Sequence, residues 1–162
     1  MGEIRQFFDG MVVLAGAISQ GKDILAAEVI GADFAYMGTR FISTTESAAD
    51  PAYKKMVCDA IASDIIYTSA ISGIPANFLR QSLENSGLDV KKIEAEGAKA
   101  SKLKSFNDEA RAWKTIWSAG QGVGNIHDVP SVAQLINRLK AEYQQAQQQV
   151  SSSYNTGGPQ PG

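Results

Sequence analysis

Residues 12–45 read VVLAGAISQGKDILAAEVIGADFAYMGTRFISTT, and this stretch decides the fold because it holds two apolar runs that each end at a glycine. The first run, residues 12–15, is rich in β-branched residues and stops at Gly16, which is typical of a strand followed by a turn. Alanines and apolar residues three and four apart predict a helix between the runs. The second run, residues 34–37, ends at Gly38. This order predicts two parallel strands joined by a right-handed crossover.

Both glycine turns are predicted to open on the same edge of the sheet, because the strands run in parallel. Glycine lets the backbone approach a bulky anion, and N–H groups near a helix start favour negative charge. In (β/α)8 barrels a phosphate is frequently held by the loops after the last two strands. The alternative is that these glycines serve only tight turns and close helix packing. Two coupled turns favour the phosphate-binding interpretation. The glycines concerned are Gly16, Gly21, Gly31 and Gly38.

The residues around these turns resemble the nitronate monooxygenases, formerly called 2-nitropropane dioxygenases, and the related NAD(P)H-dependent flavin oxidoreductases. A later segment, AWKTIWSAGQGVG at residues 112–124, is similar to the family's W..IWSAGQGVG segment. This segment favours the nitronate monooxygenases over other phosphate-binding barrels, such as the inosine monophosphate dehydrogenase class, which share the MGTRF run in looser form. The resemblance covers roughly residues 10–146. The earlier matches, in the family's order, are GAISQG at 16–21, GAD at 31–33, MGTRFI at 37–42 and TES at 45–47.

The resemblance implies a fold and a cofactor. Because the family's enzymes are FMN-binding TIM (β/α)8 barrels, the chain is expected to be α/β, the C-terminal portion of such a barrel with additional helices. FMN is the implied cofactor. Ala17 stands where many members have a second glycine, and it can offer its N–H provided that its φ is negative. The residues expected to hold the FMN phosphate are Gly16, Ala17, Tyr36, Met37, Gly38 and Thr39.

The late glycine-rich segment allows two interpretations. By resemblance, Ser118, Gly120 and Gln121 lie near the flavin or a partner loop. Equally, the glycines at positions 120, 122 and 124, spaced by two, are compatible with a flexible hinge.

The implied function is an FMN-dependent oxidoreductase of the nitronate monooxygenase type, which oxidises alkyl nitronates with O2 while the flavin carries the redox chemistry. The alternatives are an NAD(P)H-dependent flavin or quinone reductase, a truncated, non-catalytic FMN-phosphate-binding fragment, and another phosphate-binding barrel enzyme. In the family the catalytic histidine lies upstream of the seventh strand, near which this chain begins. A whole barrel needs about 250 residues. With 162 residues, the chain is expected to lack the first six strands and to turn over slowly or not at all.

No residue of the chain is predicted to be catalytic or to bind a metal. The one histidine, His127, precedes the final helix and has no nucleophile or second histidine to pair with, which favours a helix-start or surface role. The single cysteine, Cys58, forms neither a disulfide framework nor a metal cluster.

The net charge and the hydropathy pattern predict which kinds of partner the chain binds and where it is located. A net charge of −2 argues against attraction to nucleic acid or anionic membranes. No apolar run approaches membrane-spanning length and no signal peptide is recognisable, so a cytoplasmic location is expected. The expected partners are small molecules, namely nitronate and O2, or NAD(P)H for the alternative activity. An unpaired edge at the first strand also predicts self-association or pairing with the missing N-terminal part.

The predicted organisation is one barrel-derived domain with a helical extension over residues 1–149 and a disordered tail over residues 150–162. Residues 88–108 are weakly patterned, and a short strand is expected at residues 64–68. Helices are expected at residues 51–63, 76–86, 109–116 and 131–149.

Overall fold

The computed structural model describes residues 1–96 and 115–155, and the predictions made for residues 97–114 and 156–162 lie outside these ranges. Strands and helices alternate at the start of the chain, which gives the α/β character expected from the sequence. The elements are α1 (Gly2–Arg5), β1 (Val13–Ala15), α2 (Gly21–Val29), β2 (Phe34–Tyr36), α3 (Thr39–Ile42), α4 (Pro51–Asp59), a 3-10 helix (Ala62–Asp64), β3 (Ile65–Thr68), β4 (Ala76–Leu79), α5 (Arg80–Asn85), α6 (Val90–Glu96), a further 3-10 helix (Gln121–Asn125) and α7 (Val132–Asn155).

The predicted parallel strand pair is confirmed. β1 and β2 pair in parallel, with Ala15 opposite Tyr36 at their carboxyl ends. The crossover helix α2 starts where the Asp23 carboxylate accepts the N–H groups of Ser19 and Gln20 at 2.9 and 3.0 Å. This carboxylate, in the first turn of the helix, reaches back to the N–H groups of the two residues that lead into it, as in a capping box.

The two faces of this sheet differ in their surroundings. Leu14 and Ala35 alternate with their neighbours and pack towards α2, in a cluster with Ile18, Ala27 and Ala32. On the opposite face, Val13, Phe34 and Tyr36 are 56%, 56% and 66% exposed. Parallel sheets usually have both faces covered. One face of this sheet is therefore uncovered in the described part of the chain.

The helix predicted at residues 76–86 is wrong in its first part, which is a strand of the second sheet. Residues Ala76–Leu79 form β4, which pairs antiparallel with β3, and helix α5 starts only at Arg80. Phe78 and Leu79 are each 1% exposed. Burial against β3 and the helices around it outweighs the helical propensity of this segment, because strand formation depends on tertiary context.

Helix α4 is shorter than expected and ends at Asp59 rather than at residue 63. Its start agrees with its sequence, since the Asp50 carboxylate accepts the N–H of Ala52 at 2.7 Å and proline follows directly. At the other end, Ala60 is extended, and a short 3-10 helix leads into β3. The strand predicted at residues 64–68 is confirmed as β3.

Two further segments are more helical than the sequence indicates. Within residues 88–108, where weak patterning predicts a partly irregular segment, Val90–Glu96 form α6. Helix α7 continues to Asn155, six residues into the segment for which disorder is predicted. The hydroxyl groups of Ser151, Ser152 and Ser153 donate to carbonyl groups three or four residues earlier, which ties this polar end to the helix backbone.

Candidate functional site

The two glycine turns lie side by side at one edge of the parallel sheet. Ala15 and Tyr36 are the last residues of β1 and β2 and are paired in register. Neighbouring strands lie about 4.8 Å apart. The turns that follow therefore leave the sheet next to each other, as the parallel arrangement predicts.

The first turn has a left-handed backbone. Gly16 has φ of +114° and Ala17 has φ of +53°, so the condition of a negative φ at Ala17 is not met. A non-glycine residue in this region costs about 1–2 kcal/mol, and such residues cluster at functional sites. Both residues are exposed, and a Cβ added to Gly16 would meet nothing within 4 Å. Among the residues that the structure describes, none therefore fills the space over this turn.

The second turn is similarly open but uses ordinary backbone angles. Gly38 is exposed with φ of −89°, and an added Cβ would meet nothing within 4 Å. Thr39 follows, and its hydroxyl oxygen accepts the N–H of Gly120 at 2.9 Å. The Tyr36 side chain is 66% exposed at the end of β2, whereas Met37 packs against the cluster beneath α2. At Met37 only the backbone remains a candidate for a ligand contact.

The start of α2 is already occupied by carboxylates of the chain itself. The N–H of Gly21 donates to Glu142 of α7 at 2.6 Å. Asp23 accepts the two preceding N–H groups. The candidate anion donor on this side is therefore the N–H of Gly16 in the turn itself, rather than the first turn of α2, and the expectation that Ala17 donates does not meet its stated condition.

The late glycine-rich segment packs directly on both turns. Residues 120–122, called here the glycine bridge, contact the second turn through Gly120 and the first turn through Gly122, whose carbonyl oxygen accepts the hydroxyl of Ser19 at 3.0 Å. The bridge leads into buried Val123 and Ile126, which are both 0% exposed. This packing disfavours the hinge interpretation. Sequence reasoning missed Ser19 and Gly122 as site residues, although the glycine spacing was a visible signal.

The other residues proposed near a flavin or a partner loop contact a different part of the chain. Ser118 accepts, through its carbonyl oxygen, a hydrogen bond from the Tyr53 hydroxyl. The Tyr53 ring stacks on Trp117 with 5.0 Å between centroids, and burial raises the pKa of Tyr53. Gln121 pairs through its side chain with Asn77 at 3.4 Å. These contacts join the segment to α4 and β4.

A charged cavity of about 280 Å³ lies between the first turn, α3 and α7. Arg40 is 3% exposed and donates to the Asp128 carboxylate at 2.7 Å, and Arg138 donates to the same carboxylate at 2.6 Å. The hydrogen bond from Arg138 and the charges of both arginines lower the pKa of Asp128. His127 is exposed at the rim of this cavity. Because its arginines are paired internally, this network fits a structural role.

An apolar cavity of about 560 Å³ lies behind β2, on the side of α2 and α7. Met37, Phe41 and Tyr143 are among its lining residues. It faces away from the exposed Tyr36 face of the sheet.

Among residues 1–96 and 115–155, no three His, Cys, Asp or Glu side chains are grouped so as to hold a metal ion. Over the part of the chain that the structure describes, no helix combines the length and apolarity needed to cross a membrane.

Solved structures of other proteins share the fold of this chain. A nitroalkane oxidase from Streptomyces ansochromogenes superposes with a TM-score of 0.69 and 26% identity, over 90% of this chain and 43% of its own. FabK from Thermotoga maritima gives a TM-score of 0.68 at 24% identity, over 93% of this chain and 50% of its own. The fold is the C-terminal portion of a TIM barrel with additional helices.

The sequence comparisons agree with the structural ones. Residues 4–142 match the nitronate monooxygenase family. A nitronate monooxygenase from Paraburkholderia phytofirmans is 30% identical over 151 residues, covering 89% of this chain and 41% of that protein. A probable nitronate monooxygenase from Staphylococcus saprophyticus is 28% identical over 135 residues, or 80% of this chain and 38% of that protein. The chain thus spans about two fifths of the length of these relatives. It belongs to the nitronate monooxygenase family, whose members are oxidoreductases.

Proposed function

We propose that the chain is the phosphate-holding portion of a flavin-dependent oxidoreductase that uses FMN and oxidises alkyl nitronates with O2. The observation that carries the proposal is the pair of exposed glycine turns at the ends of two paired parallel strands. Backbone N–H groups in such turns suit an anion because no Cβ prevents its approach. The family relationship supports the choice of flavin and substrate class.

The described residues fit a phosphate group. No described residue beyond the adjacent ones in the chain lies within 4 Å of a Cβ added at Gly16 or Gly38. Thr39 accepts a hydrogen bond from Gly120, and a threonine hydroxyl can also donate one. Within this chain the residues bind and orient the cofactor, and bound FMN would supply the redox chemistry.

The proposal includes a structural partner, the N-terminal part of a barrel. Val13, Phe34 and Tyr36 form an apolar sheet face that no described residue covers. In a closed barrel, side chains of this kind fill the interior between strands. A segment supplying the preceding strands would cover this face and bring the family's catalytic histidine. We therefore expect turnover to depend on that segment.

The test is a titration of the purified chain with FMN, followed by flavin fluorescence and visible absorbance. It is carried out alone and with the N-terminal segment of the Paraburkholderia phytofirmans relative that precedes the matched region. Saturable binding is expected, and binding should tighten in the mixture. Oxygen uptake with a nitronate then tests the activity, and NAD(P)H oxidation tests the reductase alternative. Absence of flavin binding by both the folded chain and the mixture would contradict the proposal.

Replacing Gly38 by valine is expected to weaken FMN binding by about tenfold or more, equivalent to at least about 1.4 kcal/mol. The valine side chain would enter the open space where the phosphate is proposed to lie. Thermal stability should change little, because φ is negative and, apart from the adjacent residues, no atom of the described chain lies within 4 Å of the new Cβ. FMN titration and thermal melting measure the two effects.

Gly2→Val is the matched control, since it adds the same side chain at another glycine with nothing within 4 Å. It lies in α1 rather than in either turn. Unchanged FMN affinity in Gly38→Val, or an equal loss in Gly2→Val, would remove the second turn from the site.

A further inference from the structure

The glycine bridge connects the ends of β1 and β2, although it lies far from both in sequence. Gly120 donates its N–H to Thr39 Oγ1 at 2.9 Å, while Gly122 accepts the hydroxyl of Ser19 at 3.0 Å. Two residues of extended chain span at most about 7 Å. That reach is comparable to the distance of about 4.8 Å between neighbouring strands. The bridge thus has a length suited to holding two adjacent strand ends at a fixed distance.

The bridge is itself held firmly at its far end. Its last two residues form the start of the 3-10 helix Gln121–Asn125, and Val123 and Ile126, which follow the bridge, are fully buried against α4 and β4. The N–H of Ile126 donates to the Val123 carbonyl at 2.8 Å, which closes this short helix. Because its far end is packed against α4 and β4, the bridge holds the two turns at a fixed position relative to these elements.

The three glycines of this segment differ in the room around them. A Cβ on Gly122 would lie 2.4 Å from Ser19 Oγ and 2.9 Å from the Ala17 carbonyl oxygen. At Gly120 the nearest atom is Thr39 Oγ1 at 3.5 Å, and at Gly124 it is the Ala62 nitrogen at 3.9 Å. Only the middle glycine touches the backbone of the first turn so closely that any side chain must displace it.

We propose that Gly122, with Ser19, is a positioning residue that sets the distance between the two glycine turns and so tunes affinity for a phosphate group held between them. This inference rests on the proposed function and adds to it a residue that makes no contact with the ligand. Displacing the Ala17 carbonyl moves the backbone next to Gly16 and alters the turn geometry. The flavin ring, being remote from a phosphate contact, should be bound with little change.

The test compares Gly122→Ala with Gly124→Ala in the full chain, using FMN and riboflavin, which lacks the phosphate. Gly122→Ala is expected to lower FMN affinity by about tenfold and to leave riboflavin affinity nearly unchanged. Gly124→Ala should leave both affinities as in the wild-type chain. An equal loss for FMN and riboflavin would indicate general destabilisation and would overturn the proposal, as would unchanged FMN affinity in Gly122→Ala.

A second readout does not require flavin. In ¹⁵N-resolved spectra, Gly122→Ala should shift the amide resonances of Gly16, Ala17 and Thr39, whereas Gly124→Ala should not. If the wild-type chain binds no flavin either alone or in the mixture with the N-terminal segment, the proposed function fails, and the amide resonances alone then test whether Gly122 positions the two turns. Unshifted resonances in Gly122→Ala would overturn the positioning role even if wild-type flavin binding is strong.

Discussion

Replacing Gly21 by alanine should destabilise the chain by about 3 kcal/mol or more, at the upper end of the usual cost of overpacking. An added Cβ would lie 2.2 Å from the Leu139 carbonyl oxygen, 2.4 Å from the Tyr143 nitrogen and 2.6 Å from the Glu142 Cβ. Two of these are backbone atoms of α7, so no side-chain rotation relieves the contact. Helices α2 and α7 must move apart, and this movement would break the hydrogen bond from the Gly21 N–H to the Glu142 carboxylate.

Urea unfolding followed by circular dichroism measures this effect. A domain of this size has a total stability of about 5–15 kcal/mol, so the expected loss is a large fraction of it. Gly2→Ala is the control, because its Cβ meets nothing within 4 Å and alanine favours the helix in which it lies. A Gly21→Ala chain with a wild-type unfolding midpoint would contradict the close approach of α2 and α7.

The parallel strand pair could be predicted because its signals are local. Each strand is a short apolar run that ends at a glycine, and the segment between them has helical spacing. Once a strand, a helix and a strand follow so closely, chain connectivity leaves little choice but a parallel pair. The placement of the two turns on one edge follows from that geometry, and with it the candidate residues Gly16 and Gly38.

The remaining features depend on contacts between distant residues. The bond between Ser19 and Gly122 joins positions 103 residues apart, and no periodicity within either segment reveals it. The segment Ala76–Leu79 becomes a strand because β3 lies beside it. Likewise, the left-handed backbone of Ala17 results from the tight turn between β1 and α2, which the residue type alone would disfavour.

Replacing Asp128 by asparagine should cost about 2 kcal/mol at neutral pH. Arg40 is 3% exposed and would lose its carboxylate partner at 2.7 Å, together with the link through Asp128 to Arg138 on α7. Removing one member of a fully buried pair costs about 3–5 kcal/mol. The loss expected here, about 2 kcal/mol, is smaller than this range because the Asp128 side chain is 43% exposed. The free energy of unfolding by urea measures the change.

The pH dependence of this loss has a defined direction. The hydrogen bond from Arg138 and the charges of Arg40 and Arg138 lower the pKa of Asp128 in the folded chain. A lowered carboxyl pKa contributes stability above the unfolded pKa of about 3.9, and that contribution disappears as the pH falls through the folded value. The difference in stability between wild type and Asp128→Asn should therefore be complete at pH 7, begin to shrink as the pH falls below about 4, and vanish only below the lowered folded pKa of Asp128.

Asp59→Asn provides the matched control for this network. Asp59 also pairs with a cation, Lys55, at 2.5 Å, but the two side chains are 55% and 75% exposed. Solvent screens such a pair, so its loss should change stability little at any pH. If Asp128→Asn behaves like Asp59→Asn at pH 7, the carboxylate contributes no more than a surface charge. A larger loss confined to Asp128 would instead identify its two pairs, with Arg40 of α3 and Arg138 of α7, as the link between these helices directly behind the second glycine turn.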